Sequence, residues 1–188
     1  MGVQLGKGSG AVASSLKRAL IGLGWQARST RGEPFDLDLS TFALGSNGKV
    51  PSEDYFVFYH QLSSPCGSIK HGGDKRVGDK EGDNESVAVD LDRVPAIIHR
   101  LCVVVTLYNG EALRQNFGQV PHAFVRVVDR DTGIELARFD LSEDYGAETG
   151  MIFGEFVRSG AEWRFKTVGQ GVTGSLAALC RQYGVEVA

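Results

Sequence analysis

Acidic residues with regular spacing lie near the middle of the chain, at every second position: Asp79, Glu81, Asp83 and Glu85. Alternate side chains of an extended backbone point the same way, so this spacing predicts four carboxylates on one side. Four glycines within residues 72–82 allow sharp bends that turn backbone carbonyls inward. Carboxylates and carbonyls without a thiolate or imidazole pattern are ligands for a hard cation, and calcium fits best. A solvated acidic loop without an ion is the alternative that the pattern leaves open.

Two further aspartates, Asp36 and Asp38, stand two positions apart at the start of a predicted strand. They would face the same side and could complete a cation site with the acidic loop. An aspartate before a strand also commonly caps a turn, so this second interpretation stays open. The spacing is not that of an EF-hand, because the sixth position from Asp36 is Thr41 and the twelfth is Asn47.

A second acidic group follows a predicted hairpin, and its members are Asp140, Glu143 and Asp144. These carboxylates are candidate ligands for a cation. The same pattern is typical of an ordinary polar loop.

No recognisable catalytic motif occurs in the chain. There is no Gly-x-Ser-x-Gly sequence, and no cysteine has a recognisable histidine partner. A metal-assisted hydrolase using Asp36, Asp38 and the acidic loop would need a base or nucleophile beside the metal, and the sequence offers none. We therefore expect a protein that is not an enzyme.

The length of 188 residues predicts one domain spanning 1–188. A net charge of -3 gives no reason to expect nucleic-acid binding, which requires a basic face. No apolar run approaches the length needed to cross a bilayer, and the N-terminus lacks the apolar stretch of a secretory signal. Three widely spaced cysteines argue against a disulfide framework and predict a cytoplasmic location.

Short apolar runs separated by glycine-rich turns predict eight to ten strands. The aromatic run 55–59 and the β-branched run 101–108 are both typical of central strands buried on two faces. One helix is expected near the C-terminus, capped by Thr173 and ended by Gly184. Together these elements predict an all-β fold, a two-sheet β-sandwich with a short C-terminal helix.

Two connections stand out between the predicted strands. The segment 63–85 is the only long one, and a long connection in a compact domain is often functional. The segment 109–119 is rich in hydrogen-bonding side chains and is expected to brace one end of the sandwich or to contact a ligand.

Several motifs, in order along the chain, resemble one known family. They are Ile21-Gly22-Leu23-Gly24-Trp25, Phe35-Asp36-Leu37-Asp38, Gln115-Asn116-Phe117-Gly118-Gln119-Val120, Arg138-Phe139-Asp140-Leu141-Ser142-Glu143-Asp144 and Met151-Ile152-Phe153-Gly154-Glu155. On these residues the chain resembles the TerD-domain tellurium-resistance proteins, from about Val3 to Val187.

The resemblance implies a calcium-binding β-sandwich with a role in resistance to tellurite and other chemical stress. It also implies action in the bacterial cytoplasm or at the inner face of the membrane, alongside other proteins of the tellurium-resistance cluster. No enzymatic activity is established for the domain. On this resemblance Asp36 and Asp38 match the family's acidic pair. The residues that match its acidic loop are Asp74, Glu81, Asp83 and Glu85.

Three positions in the loop depart from the family pattern. Lys75 stands where the family has Asn, Val77 where it has Thr, and Asn84 where it has a second Asp. These changes predict weaker calcium affinity and the loss of one of two expected ions. The expected function is that of a calcium-binding sensor or scaffold. The alternative is an interaction module of the resistance system with a degenerate acidic loop.

Overall fold

Two antiparallel sheets pack face to face in the computed structural model, which describes residues 11–13, 15–78 and 81–187. The first sheet has the order β1-β11-β10-β7-β3-β4 and the second has the order β5-β6-β2-β8-β9. The strands are β1 Ala11–Ala13, β2 Arg18–Gly24, β3 Leu37–Leu44, β4 Phe56–Val57, β5 Ile69–His71, β6 Glu85–Asp90, β7 Arg100–Leu107, β8 Phe124–Asp129, β9 Glu135–Asp140, β10 Gly150–Ser159 and β11 Glu162–Val172. The predicted two-sheet β-sandwich is confirmed.

Short helices lie between the strands and after the last one. They are α1 Gly110–Leu113, α2 Leu141–Asp144 and α3 Leu176–Tyr183, with single 3-10 turns at Glu53–Tyr55, Leu91–Arg93 and Phe117–Gln119. None of the helices in the described part of the chain is long and apolar enough to cross a membrane.

The core forms because apolar side chains alternate along the strands and the inward set meets between the sheets. Ile21 and Leu23 of β2 belong to this layer together with Val103 and Val105 of β7, and all four are fully buried. The outer face of the first sheet is also covered, since α3 packs on it through residues such as Tyr183. The first sheet is therefore buried on both faces, by the second sheet on one side and by α3 on the other.

The run 101–108 behaves as predicted, because β7 lies between β10 and β3 in the middle of its sheet. The run 55–59 does not. Only Phe56–Val57 is a strand, and β4 lies at the edge of the sheet. The aromatic rings are buried by stacking on one another instead. The ring of Phe56 stacks on those of Phe42 and Phe58, with 4.3 Å between centroids in each pair. The prediction of a central strand there was wrong.

Two other local predictions need correction. The C-terminal helix begins after Ser175 rather than Thr173, because Gly174 at φ 133 turns the chain between them. Gly184 ends it in the left-handed conformation, as predicted. The connection 63–85 is interrupted by β5, which pairs with β6, so two shorter connections replace the single long one.

Candidate metal centre

The backbone of Leu39 is held by side chains from the opposite sheet. Strand β4 pairs with β3 only at residues 41–42 and ends before it reaches Leu39. The Leu39 N–H therefore donates to Glu85 Oε2 at 2.9 Å, and the Leu39 carbonyl accepts from His71 Nε2 at 3.0 Å. His71 Nδ1 accepts from the Gly73 N–H at 3.0 Å, which leaves the ring proton on Nε2. Two residues of the second sheet thereby pair with one residue of the first.

Glu85 also anchors the part of the connection 63–85 that follows β5. Its Oε1 accepts from the backbone N–H of Lys75 at 3.1 Å, while its side chain is completely buried. Backbone donors on both carboxylate oxygens offset the cost of burying this group. The segment after β5 is consequently held against β3, close to the point where the chain enters that strand.

This anchoring brings three carboxylates together: Asp36, Asp38 and Asp74. One oxygen from each lies within 4.8 Å of the other two. In the described part of the chain this is the one group of three or more acidic, histidine or cysteine side chains that could hold a metal ion. We call it the three-aspartate cluster. It lines a cavity of about 130 Å³ together with Tyr59, His60, Arg76 and Tyr108.

The surroundings of the cluster disfavour its negative charge. Burial, followed by the charges of Asp36 and Glu85, raises the pKa of Asp38 to about 8. Burial, followed by the charge of Asp74, raises the pKa of Asp36 to about 6. Arg76 acts in the opposite direction, and its Nε lies 3.2 Å from Asp74 Oδ2. The Arg76 guanidinium is exposed and offsets only part of the negative charge of the cluster. A bound cation would stabilise the ionised carboxylates further.

The donor set fits a hard cation. All three groups offer carboxylate oxygens, the ligands that calcium prefers. Asp36 Oδ1 is buried and has no hydrogen-bond partner. Because an unpaired buried oxygen is costly, a ligand that supplies positive charge there would remove that cost.

Other acidic residues of the predicted site lie elsewhere. Arg126 Nε and Nη2 each donate to the Asp83 carboxylate at 2.9 Å, on the outer face of the second sheet. Glu85 instead points inward to Leu39. The alternate-residue prediction was therefore wrong for this pair, because residues 81–84 bend, with Gly82 at φ 85, rather than extend.

Asn84 does not turn its carbonyl oxygen to the cluster. That Oδ1 accepts from the Trp25 N–H at 2.7 Å, and the residue is buried. Glu81 is exposed and lines a separate cavity of about 170 Å³ that also contains Asp140. Asp79 lies outside the described residues. Their roles as ligands remain predictions.

The second acidic group has a local role in the structure. Asp140 precedes α2, and its Oδ1 accepts from the Glu143 N–H at 3.1 Å. This is an N-cap contact, which needs no ion. Neither Glu143 nor Asp144 belongs to the three-aspartate cluster, so metal binding by this group also remains a prediction.

Several residues that line the cavity beside the three-aspartate cluster were not predicted from the sequence. Tyr59 and Tyr108 reach it only because two distant segments meet there, and Arg76 gave no distinctive signal. The segment 109–119 does brace the entry to β3, as one of its two predicted roles required. Gln115 Nε2 donates to the carbonyls of Glu33 and Pro34 at 3.1 and 3.3 Å, shortly before the first aspartate of the cluster.

Comparison with known proteins identifies the relatives of this chain. A family model described as the TerD domain matches residues 1–183. "Tellurium resistance protein TerD" of Serratia marcescens is 49% identical over 98% of both chains. "General stress protein 16U" of Bacillus subtilis is 45% identical over 92% of this chain and 90% of that protein.

A solved structure supports the fold. The crystal structure of a homologue of telluride resistance protein from Streptomyces coelicolor A3(2) superposes with a TM-score of 0.74. It covers 87% of this chain and 95% of that chain at 23% identity, which bears on the fold alone. The whole-length family match and the two close relatives decide the assignment, and the chain belongs to the TerD domain family.

Proposed function

We propose that this protein is a non-catalytic calcium-binding β-sandwich that acts as a sensor or scaffold in resistance to tellurite and other chemical stress. The family supports the resistance role, since the relatives described above are named as tellurium-resistance and general stress proteins. The proposed setting is the cytoplasm or the inner face of the membrane, with other proteins of the resistance cluster as partners.

The observation that carries calcium binding is the three-aspartate cluster with its unpaired, buried Asp36 Oδ1. Asp36, Asp38 and Asp74 would hold one ion. Burial, followed by the charges of the neighbouring carboxylates, raises the pKa values of Asp36 and Asp38 and so disfavours their ionised forms. An ion would supply the missing positive charge and tie the segment around Asp74 to β3, so its binding would also stabilise the folded state.

Calorimetric titration of chelator-stripped protein with calcium tests the proposal. We expect one ion per chain, no comparable heat with magnesium, and loss of binding in Asp38→Asn. Asp92→Asn removes one exposed carboxylate outside the cluster and should bind as the unmodified chain does. The proposal would be refuted if calcium up to about 1 mM gave neither heat nor a change in stability. A dissociation constant of 1 mM corresponds to a binding free energy of only about -4 kcal/mol.

One observation favours the alternative of an interaction module with a degenerate loop. Asp83 is paired with Arg126, and the Asn84 oxygen is used by Trp25. Asp83 was expected to be a calcium ligand and Asn84 stands where the family has an aspartate, so these contacts leave fewer oxygens for an ion. Under this alternative, partners recovered from a resistant cell would remain bound in chelator, whereas a calcium-responsive scaffold would release or exchange them.

A further inference from the structure

An open groove lies on the outer side of the first sheet, where β4 and α3 meet. It measures about 610 Å³. Phe56 of β4 and Phe58 directly after it come from the sheet, while Leu176 and Cys180 come from α3. The residues that follow α3, 185–187, also contribute to the wall. We call this space the terminal groove.

The floor of the terminal groove is apolar. Phe56, Cys180 and Val185 line it and are only 3%, 6% and 8% exposed. Phe58, whose ring stacks on Phe56, is partly exposed, and Val187 at the rim keeps 42% of its surface exposed. Exposed apolar surface around a concave floor is typical of a contact site for another molecule.

Hydrogen bonds hold the tail of the chain in place along the groove. The Val185 N–H donates to the Cys180 carbonyl at 2.8 Å. The Glu186 N–H donates to Glu53 Oε1 at 3.2 Å, which ties the tail to the 3-10 turn before β4. The groove is therefore formed before any partner binds, so that little ordering of this surface opposes association.

The charges of the groove select the kind of partner. Glu53, Asp54 and Glu186 line it and are exposed. Among the described residues of its wall none is lysine or arginine, and His60 is the one imidazole. Lys49 lies outside the wall, where its Nζ donates to a backbone carbonyl of α3. The groove therefore favours a cationic partner and disfavours an anionic one, including the headgroups of acidic lipids.

Aromatic rings add a preference for arginine. The rings of Phe58 and Tyr59 pack edge to face with 5.0 Å between centroids, and both residues are partly exposed in the groove. Guanidinium groups stack on aromatic faces and also form paired hydrogen bonds with carboxylates. Arginine next to apolar residues consequently matches both the floor of the groove and its acidic rim.

We propose that the terminal groove docks a short basic segment of a partner protein, with apolar side chains against Phe56 and Phe58 and arginines beside Asp54 and Glu186. The inference goes beyond the proposed calcium function and does not depend on it. None of the carboxylates in the groove belongs to the three-aspartate cluster.

Fluorescence anisotropy with a labelled hexapeptide tests the proposal. The probe has two leucines between two pairs of arginines, and two control peptides replace either the leucines by serines or the arginines by glutamates. The titrations are run in chelator, so that failure of calcium binding leaves the result interpretable, and at about 0.15 M salt to screen general attraction. We expect a dissociation constant of about 10–300 μM for the probe and at least about tenfold weaker binding of each control peptide.

Charge reversal at the rim distinguishes the groove from other acidic surface. Asp54→Lys combined with Glu186→Lys should weaken binding of the arginine probe at least about tenfold and strengthen binding of the glutamate peptide. Asp92→Lys combined with Glu162→Lys makes the same change in net charge at exposed positions outside the groove. This control pair should leave the affinity for the probe within about twofold of that of the unmodified chain.

A second pair of variants tests the apolar contact. Val187→Ser removes exposed apolar surface from the groove and should weaken binding of the probe about threefold to tenfold. Val77→Ser is the matched control, since Val77 is 51% exposed and lies outside the groove. Absence of saturation at about 1 mM probe, equal binding of the glutamate peptide, or equal losses in groove and control variants would each overturn the proposal.

Sedimentation of the chain alone, and with phosphatidylcholine vesicles, checks the other possible occupants of the groove. We expect neither self-association nor vesicle binding through this surface. Self-association or vesicle binding that Val187→Ser abolishes would assign the groove to a second copy of the chain or to lipid, and would overturn the proposal.

Discussion

Replacing Asp38 by asparagine should make the calcium-free protein more stable at alkaline pH. Asp38 is buried in β3, and its pKa is raised from 3.8 to about 8 by burial and by Asp36, Glu85 and Asp74. Between these two pH values the folded state keeps a proton that the unfolded state has released. The free energy of unfolding therefore falls as pH rises through this window, and the contribution is fully present only below about pH 4.

The magnitude follows from the two pKa values. A difference of about four pKa units at 1.36 kcal/mol each corresponds to at most about 6 kcal/mol at pH 8 and above. That is a large share of the 5–15 kcal/mol that typically stabilises a domain. Asp36 contributes in the same direction over a narrower window, since its pKa is raised to about 6, but its partial exposure weakens the effect. An asparagine has almost the same shape and carries no charge, so it removes the Asp38 contribution.

Urea unfolding at a series of pH values, in chelator and in calcium, measures the effect. We expect the unmodified chain to lose stability between about pH 4 and 8 in chelator, and to regain it when calcium is added. Asp38→Asn should show a much smaller loss and no response to calcium. Asp92→Asn, at an exposed position, controls for the change in net charge. Parallel loss of stability in the unmodified chain and Asp38→Asn would show that the reasoning about this carboxyl is incorrect.

Three further substitutions test the surroundings of the cluster. Asp83→Asn removes the ion pair with Arg126 and should cost about 1–3 kcal/mol in urea unfolding without changing calcium affinity, whereas a loss of calcium heat would return Asp83 to the metal site. Glu85→Gln leaves one acceptor oxygen for two backbone donors, the N–H groups of Leu39 and Lys75. It should lower the free energy of unfolding by about 1–3 kcal/mol and speed amide exchange at Leu39. Unchanged exchange would contradict the anchoring role of Glu85. Gly78→Ala would place a Cβ 2.3 Å from the Trp25 carbonyl oxygen and should lower the unfolding midpoint by the equivalent of about 1–3 kcal/mol, and an unaltered midpoint would show that the loop accommodates the methyl.

Local patterns predicted much of the fold because strand periodicity reports burial directly. The β-branched run 101–108 became the central β7, and the hairpin expected before the second acidic group formed from β8 and β9. The aromatic run 55–59 misled because aromatic rings satisfy their burial equally well by stacking under a helix, as Phe56 does. Apolar composition alone does not distinguish these two solutions.

The site was predicted only in part, and for a physical reason. Spacing correctly paired Asp36 with Asp38, which share a strand entry. Spacing failed for Asp83, whose partner Arg126 is 43 residues away and on the other face of the second sheet from Glu85. The approach of Tyr59 to Tyr108 likewise depends on tertiary packing that no local pattern contains.

The anchoring of the loop has a consequence for evolution. The contacts that fix the loop come from Glu85, His71 and the backbone of Lys75, whereas the oxygens available to an ion come from the three aspartates. The side chains that hold the loop in place are therefore different from those that would bind an ion. The side chains of Lys75 and Val77 are exposed, so substitutions there would change charge and polarity beside Asp74, while the backbone N–H of residue 75 still bonds to Glu85. Under the proposed function, a lineage can therefore alter or lose its ion while it keeps the sandwich intact.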